Sequence, residues 1–375
     1  MAATINGLDL RKTIQNHPVS TTKNTDFAAV EEQFTALLTL EDLDHQVSQS
    51  PQSVRDLESA IATAIPLAYG DSSQPGDQAA HLFLQRILYL INRLNLFWYD
   101  DLRHYRNERS LYLQWVRDRI ESVWQQWELE QIDVESLKQQ NVEQTLQAWY
   151  EADLNPSITE NKRFLREDLD REGYRRLLAI ASLDGLVEAS RMSRILGGAS
   201  NEVQATLIRV LLEEYGNGRL ARKHSTFFAK MMAEMELNTK PEGYFHLAPW
   251  QLLASINHNF LLTECKRYFL RYNGGLTYFE IAGPSIYTDY LLAAQRLNLS
   301  ETSSGYWALH IKEDERHGQW MLDDVALPLA EQYADQAWEV LLGYAQEKFI
   351  GDRAGDAIIQ QIKQADAPLP AIASV

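Results

Sequence analysis

The segment His310-Ile311-Lys312-Glu313-Asp314-Glu315-Arg316-His317-Gly318 limits what this chain can become more than any other stretch of it. Two histidines and an aspartate stand four and seven residues apart. At ~100° per helical residue, their side chains fall within about 60° of one another on one helix face. Imidazole nitrogen and carboxylate oxygen are donors that hold non-haem iron. A helix presenting three of them is half of a metal site. It requires neighbouring helices to bring the other half.

The remainder of the chain supplies helices. Apolar residues recur at intervals of three and four, which predicts helices over 26–40, 52–66, 76–98, 101–128 and near 134–151. The same spacing predicts helices over 160–182, 184–196, 201–215, 219–235, 247–272, 276–297, 303–321, 327–346 and 352–364. Gly197-Gly198, Gly216-Asn217-Gly218, Lys240-Pro241, Asn273-Gly274-Gly275 and Gly351 are the expected breaks. No strand alternation persists, so the expected fold class is all-α. Residues 1–24 read as a flexible N-terminus and 25–158 as an N-terminal helical region, closed by the Asn155-Pro156-Ser157 break. A larger bundle follows over 159–365, and 366–375 reads as a frayed tail that its prolines keep out of a helix.

Charge and cysteine usage narrow the function. A net charge of −17 excludes a nucleic-acid binder, which needs a basic face, and disfavours anionic membranes. The single Cys265 rules out an intrachain disulfide and a thiolate zinc or iron–sulfur centre. With Leu261, Leu262, Tyr268 and Phe269 around it, Cys265 is expected in the core of a cytoplasmic protein. There is no stretch of ~18 apolar residues to span a membrane, and no secretory signal is visible.

Four further places offer a donor in an apolar helical setting: Glu188, Glu214, His224 and Glu280. A carboxylate on such a face is costly unless it is paired or metal-bound. Pairing with Arg191 or Arg194 is the competing reading for Glu188, and Glu213 is the rival of Glu214, because only one of two adjacent helical residues can face a given centre. Asp42/His45 and Asp101/His104 repeat the Asp-x-x-His spacing outside the C-terminal bundle, the second in a charged segment that reads as a solvated face, while His246 and His258 lack helical carboxylate partners and His258 is a supporting residue at most. Ferritin-like centres use two Glu-x-x-His motifs; none occurs here, which disfavours that scaffold.

Glu213-Glu214-Tyr215-Gly216-Asn217-Gly218 with His224, then Tyr278-Phe279-Glu280-Ile281-Ala282-Gly283-Pro284, then the 310–318 motif, together resemble the heme-oxygenase-like diiron oxidase and oxygenase superfamily of iron-containing redox enzymes. The resemblance implies a heme-oxygenase-like helical bundle and two non-haem iron ions held by Glu188, His224, Glu280, His310, Asp314 and His317. Glu214 occupies the place of an extra carboxylate found in the N-oxygenase subset, nitrosourea-forming members included. Such an enzyme takes O2 as co-substrate and an external electron donor. It oxidises the nitrogen of a small amine, guanidine or amino-acid-derived molecule through a peroxo-diferric intermediate. The resemblance further implies a homodimer. Desaturation or C–C fragmentation of an amino acid or fatty acid is the alternative reaction, and a non-catalytic helical binding protein is the alternative class.

Overall fold

Short polar side chains set the start of six of the main helices. Asp26, Asp77, Ser110, Asn141, Asp170 and Asn201 each accept a hydrogen bond from the backbone N–H three residues ahead, satisfying one of the donors a helix start leaves free. The computed structural model describes residues 25–96, 101–198 and 201–370, apart from the side chain of Glu188. The expected loose segment 1–24 and the last five residues of the tail lie outside the described residues.

The chain forms two units, Met1–Gln131 and Ile132–Val375. The first contains α1 (Phe27–Leu38), α2 (Leu43–Gln49), α3 (Arg55–Tyr69), α4 (Gln78–Asn92) and α5 (Leu111–Leu129). Helix α4 packs against α1, α3 and α5, and its Leu84, Ile87 and Leu88 are fully buried.

The second unit holds α6 (Val142–Leu154), α7 (Arg171–Gly185), α8 (Glu202–Glu214), α9 (His224–Glu234), α10 (Trp250–Glu264), α11 (Phe269–Arg296), α12 (Gly305–Trp320) and α13 (Trp338–Lys363). Helix α11 is its axis, with α12 along one side and α13 along another. Helix α6 also packs on α11 and α13, so residues 132–158 go with this second unit although the sequence grouped them with the first. Among the described residues there is no strand, so the chain is all-α. Among them, too, no helix is long and apolar enough to cross a membrane.

Two expected breaks are absent. Helix α11 runs unbroken through Asn273-Gly274-Gly275, and α13 runs through Gly351. The chain breaks instead at Cys265, which is extended and only half-buried rather than in the core. The glycines of α11 serve close packing instead of a turn. A Cβ on Gly274 would sit 2.0 Å from the Val340 carbonyl oxygen, and one on Gly343 of α13 would sit 1.8 Å from the Arg271 carbonyl oxygen. Neither contact can relax by turning a side chain, since both partners are backbone. Gly343→Ala should therefore push the two helices apart at a cost of ~3 kcal/mol. Thermal unfolding would then show a Tm lower by roughly 10 °C. An unchanged Tm would mean that the helices do not cross this closely.

The start of the tail is held rather than frayed. Arg175 Nη1 donates to the Leu369 carbonyl oxygen (3.0 Å), Arg176 Nη2 donates to that of Ala367 (2.8 Å), and the Leu369 side chain is buried.

Candidate metal centre

Helix α8 ends on Glu213 and Glu214, and the chain then reverses through Gly216-Asn217-Gly218, all three with left-handed φ (61°, 51° and 77°). At Gly216 only glycine fits, because a Cβ would stand 2.5 Å from the Arg222 backbone. The reversal returns His224, the first residue of α9, to Glu214: His224 Nδ1 lies 2.8 Å from Glu214 Oε2 and 3.0 Å from His310 Nε2.

His310, Asp314 and His317 share the inner face of α12, as their spacing requires, and all three are buried. His310 Nδ1–H donates to the Tyr306 carbonyl oxygen one turn earlier (2.9 Å), which leaves the Nε2 lone pair facing Glu214 and His224. His317 is oriented the opposite way. Its Nε2–H donates to Glu213 Oε2 (3.0 Å), and its Nδ1 faces Glu280 Oε2 (3.3 Å), Glu214 Oε1 (3.6 Å) and Asp314 Oδ1 (3.6 Å). A hydrogen bond on one ring nitrogen fixes which nitrogen is free to bind a metal.

Glu214 and Glu213 thus divide their work. Glu214 enters the buried cluster, while Glu213 supports His317 from behind and is itself held by Arg316 (2.9 Å), which also grips Glu313 (2.7 Å). The supporting role of Glu213 was not read from the sequence. The signal for it was the second acidic residue beside Glu214, one position round the helix.

Six of the seven residues singled out in the sequence therefore converge: Glu214, His224, Glu280, His310, Asp314 and His317. Glu188 opens the 3-10 segment Glu188–Ile195 rather than lying on an α-helix, and its side chain lies outside the described residues. His45, His104 and His246 are exposed, while His258 is buried on α10 with its pKa pushed down to about 3 by burial and by Arg271 and Arg353.

Among the described residues three groups of three donors could hold a cation: the buried sets Glu214/His224/His310 and Glu214/Asp314/His317, with Glu214 common to both, and the less buried Glu213/Glu313/His317 behind His317. Neighbouring donors on an octahedral cation with ~2.1 Å bonds stand ~3.0 Å apart, close to the spacings found. The electrostatics also fit a cation. Glu214, Glu280 and Asp314 are 5%, 5% and 1% exposed, and neither oxygen of Asp314 has a hydrogen-bond partner among the described residues. Burial, reinforced by Glu280, pushes the Glu214 carboxyl up to about 7 despite His310 and His317. Burial likewise raises Asp314 well above the usual range, with Glu280 and Glu214 adding to it. For His317 burial opposes the charged ring, but Glu280, Glu214 and Asp314 outweigh it and push the pKa up to about 10. Protons thus do what a cation would otherwise do.

A cavity of about 110 Å³ opens on the cluster, bordered there by Glu214, Glu280, His310 and Asp314. Met192, Leu252 and Ile256 give it apolar walls.

Residues 175–347 match the sequence profile of the family described as iron-containing redox enzymes, and all seven candidate residues fall inside that span. The nitrosourea synthase of Streptomyces achromogenes subsp. streptozoticus is 30% identical over 172 residues, which is 44% of this chain and 36% of that protein. The chain thus covers just over a third of the length of this relative. The match to iron-containing redox enzymes thus spans a little under half of the chain, and the all-α bundle found there is consistent with it.

Proposed function

We propose that this chain is an O2-dependent non-haem diiron N-oxygenase of a small nitrogen-bearing substrate. The observation that carries the reading is the pair of donor sets joined at Glu214, because one buried carboxylate common to two three-donor groups is what two adjacent cations need. The partial likeness to nitrosourea synthase favours nitrogen as the atom oxidised.

Glu214, His224 and His310 would hold one iron, and Glu214, Asp314 and His317 the other, with Glu280 beside His317. When bound, a ferrous pair would supply two electrons to O2. The chain's own residues set the geometry. Tyr306 holds His310 in the tautomer with Nε2 free, and Glu213, backed by Arg316, holds His317 with Nδ1 free. Residues supporting a ligand in this way are typically worth ~10–100-fold in metal affinity or activity. The apolar walls keep bulk water from the reacting nitrogen. Hydroxylation of an amine consumes one O2, two electrons and two protons, and releases hydroxylamine and water. An external donor then restores the two electrons.

The test is O2 uptake by the anaerobically iron-loaded protein with and without candidate amines, guanidines and amino acids. At least one of them should speed uptake and gain one oxygen atom, carrying label from isotopic O2 on nitrogen. A product two hydrogens lighter, or one cleaved at carbon, would replace N-oxygenation by desaturation or fragmentation on the same centre. Uptake indifferent to every candidate would remove the reading.

A further inference from the structure

The end of the cavity away from the metal cluster carries charge that the proposed chemistry does not use. Arg191 and Glu347 both line it, and they are only 9% and 8% exposed. Arg191 Nη2 pairs with Asp184, but its Nη1 is buried without a hydrogen-bond partner among the described residues. A buried guanidinium nitrogen left in that state costs free energy that an anionic ligand would recover. Among the described residues Glu347 has only the long contacts of Asn259 Nδ2, at 3.4 and 3.5 Å, and burial pushes its carboxyl up to about 7. It is an acceptor with room for a cation.

Helix α11 fixes how far these groups stand from the cluster. Tyr272, Gly275, Leu276, Phe279 and Glu280 recur at helical spacing along the face that lines the cavity. Gly275 lies against Glu347, where a Cβ would come within 3.4 Å of the Glu347 carboxylate. Gly275 and Glu280 are five residues apart, ~7.5 Å along the helix axis. A positive and a negative group at one end, and metal donors ~7.5 Å away at the other, match a zwitterionic head with a nitrogen-tipped side chain of about five bonds.

We propose that this cavity binds the head group of an α-amino acid, its carboxylate on Arg191 and its α-ammonium on Glu347, with the side chain laid along α11 toward Glu280. The inference rests on the N-oxygenase reading for the identity of the reacting atom, but the head-group site itself does not require turnover. Asp184 holds the Arg191 guanidinium in place, so Arg191 and Glu347 are recognition residues and Asp184 a positioning one.

Binding without turnover tests it. Lysine, cadaverine (lysine without its carboxylate) and 6-aminohexanoate (lysine without its α-ammonium) are titrated calorimetrically into the iron-loaded protein under anaerobic conditions. Each missing group should weaken binding ~10–100-fold, the worth of one charge-assisted hydrogen bond. Arg191→Met should erase the preference for lysine over cadaverine while keeping that over 6-aminohexanoate, and Glu347→Gln should do the reverse. The ratios are read within each variant, so a loss of overall affinity does not mimic the result. If a variant fails to fold, the three ligands on the unaltered protein still decide. Cadaverine binding as tightly as lysine, or lysine not binding, overturns the proposal, as does an Arg191→Met variant that keeps the carboxylate preference. Lysine bound with the expected selectivity but never oxidised at nitrogen would leave this site standing and remove the N-oxygenase reading instead. Simple amines oxidised without regard to a carboxylate would do the opposite.

Discussion

Asp314→Asn should sharply reduce the stabilisation that iron gives this protein and, in the same variant, raise the melting temperature of the metal-free form. Both effects follow from two buried carboxylate oxygens that no hydrogen-bond donor among the described residues satisfies. In the metal-free protein Asp314 crowds against Glu214 and Glu280, and burial together with their charge pushes its carboxyl well above the usual range. An amide of the same shape removes that conflict and can donate to a neighbouring carboxylate. With iron present the same change deletes a ligand. At a free iron concentration 100-fold above Kd, binding stabilises the native state by ~2.7 kcal/mol, which for a unit of this size is roughly 5–10 °C in Tm. Anaerobic melting with and without Fe(II) measures both quantities. A variant that kept the full iron-induced shift would show that Asp314 is not a ligand, and one whose metal-free form melted lower would show that its carboxyl is not strained.

The iron-induced gain in Tm should also be larger at pH 8 than at pH 6. Burial holds the Glu214 carboxyl at about 7 against an ordinary 4.5, so the folded chain keeps a proton there that the unfolded chain has lost. Stability then falls as pH rises from 4.5 toward 7. His317 has the same sign. Burial disfavours its charged form, but the carboxylates around it prevail and push it from 6.5 to about 10, so its contribution is complete below 6.5 and drains away as pH climbs toward 10. Both groups make the metal-free protein less stable at alkaline pH. Iron binding expels these protons and therefore tightens as pH rises. Melting at the two pH values, with proton release followed in a weak buffer, checks the sign. A gain equal at both, or larger at pH 6, would contradict this account of the cluster.

What could be read from the sequence, and what could not, follows from the range of the interactions involved. The 310–317 face was legible because helical periodicity alone puts those side chains together, whatever packs against them. Glu280 and Glu214 were legible as carboxylates out of place among apolar neighbours. The run of α11 through Gly274 and Gly275 was not, because local propensity treats paired glycines as a stop. Only the backbone of α13 passing within van der Waals distance reveals them as a groove. The division after Gln131 was hidden for a similar reason: Asn155-Pro156 does break a helix, but α6 before it folds onto α11 and α13. Arg191 looked like a partner for Glu188, and it pairs with Asp184. Glu347 sat unremarked on an apolar face of α13, beside the buried Tyr344 and Ile350, and could have been noticed by the argument that found Glu280.

Iron content bears most directly on the account as a whole. The protein, loaded anaerobically with Fe(II) and passed through a desalting column, should retain two irons per chain, one for each donor set that includes Glu214. Glu214→Ala, which removes the ligand common to both, should retain at most one. An unaltered protein that keeps none, or a Glu214→Ala variant that still keeps two, would contradict the claim that Glu214 joins a pair of cations in this bundle.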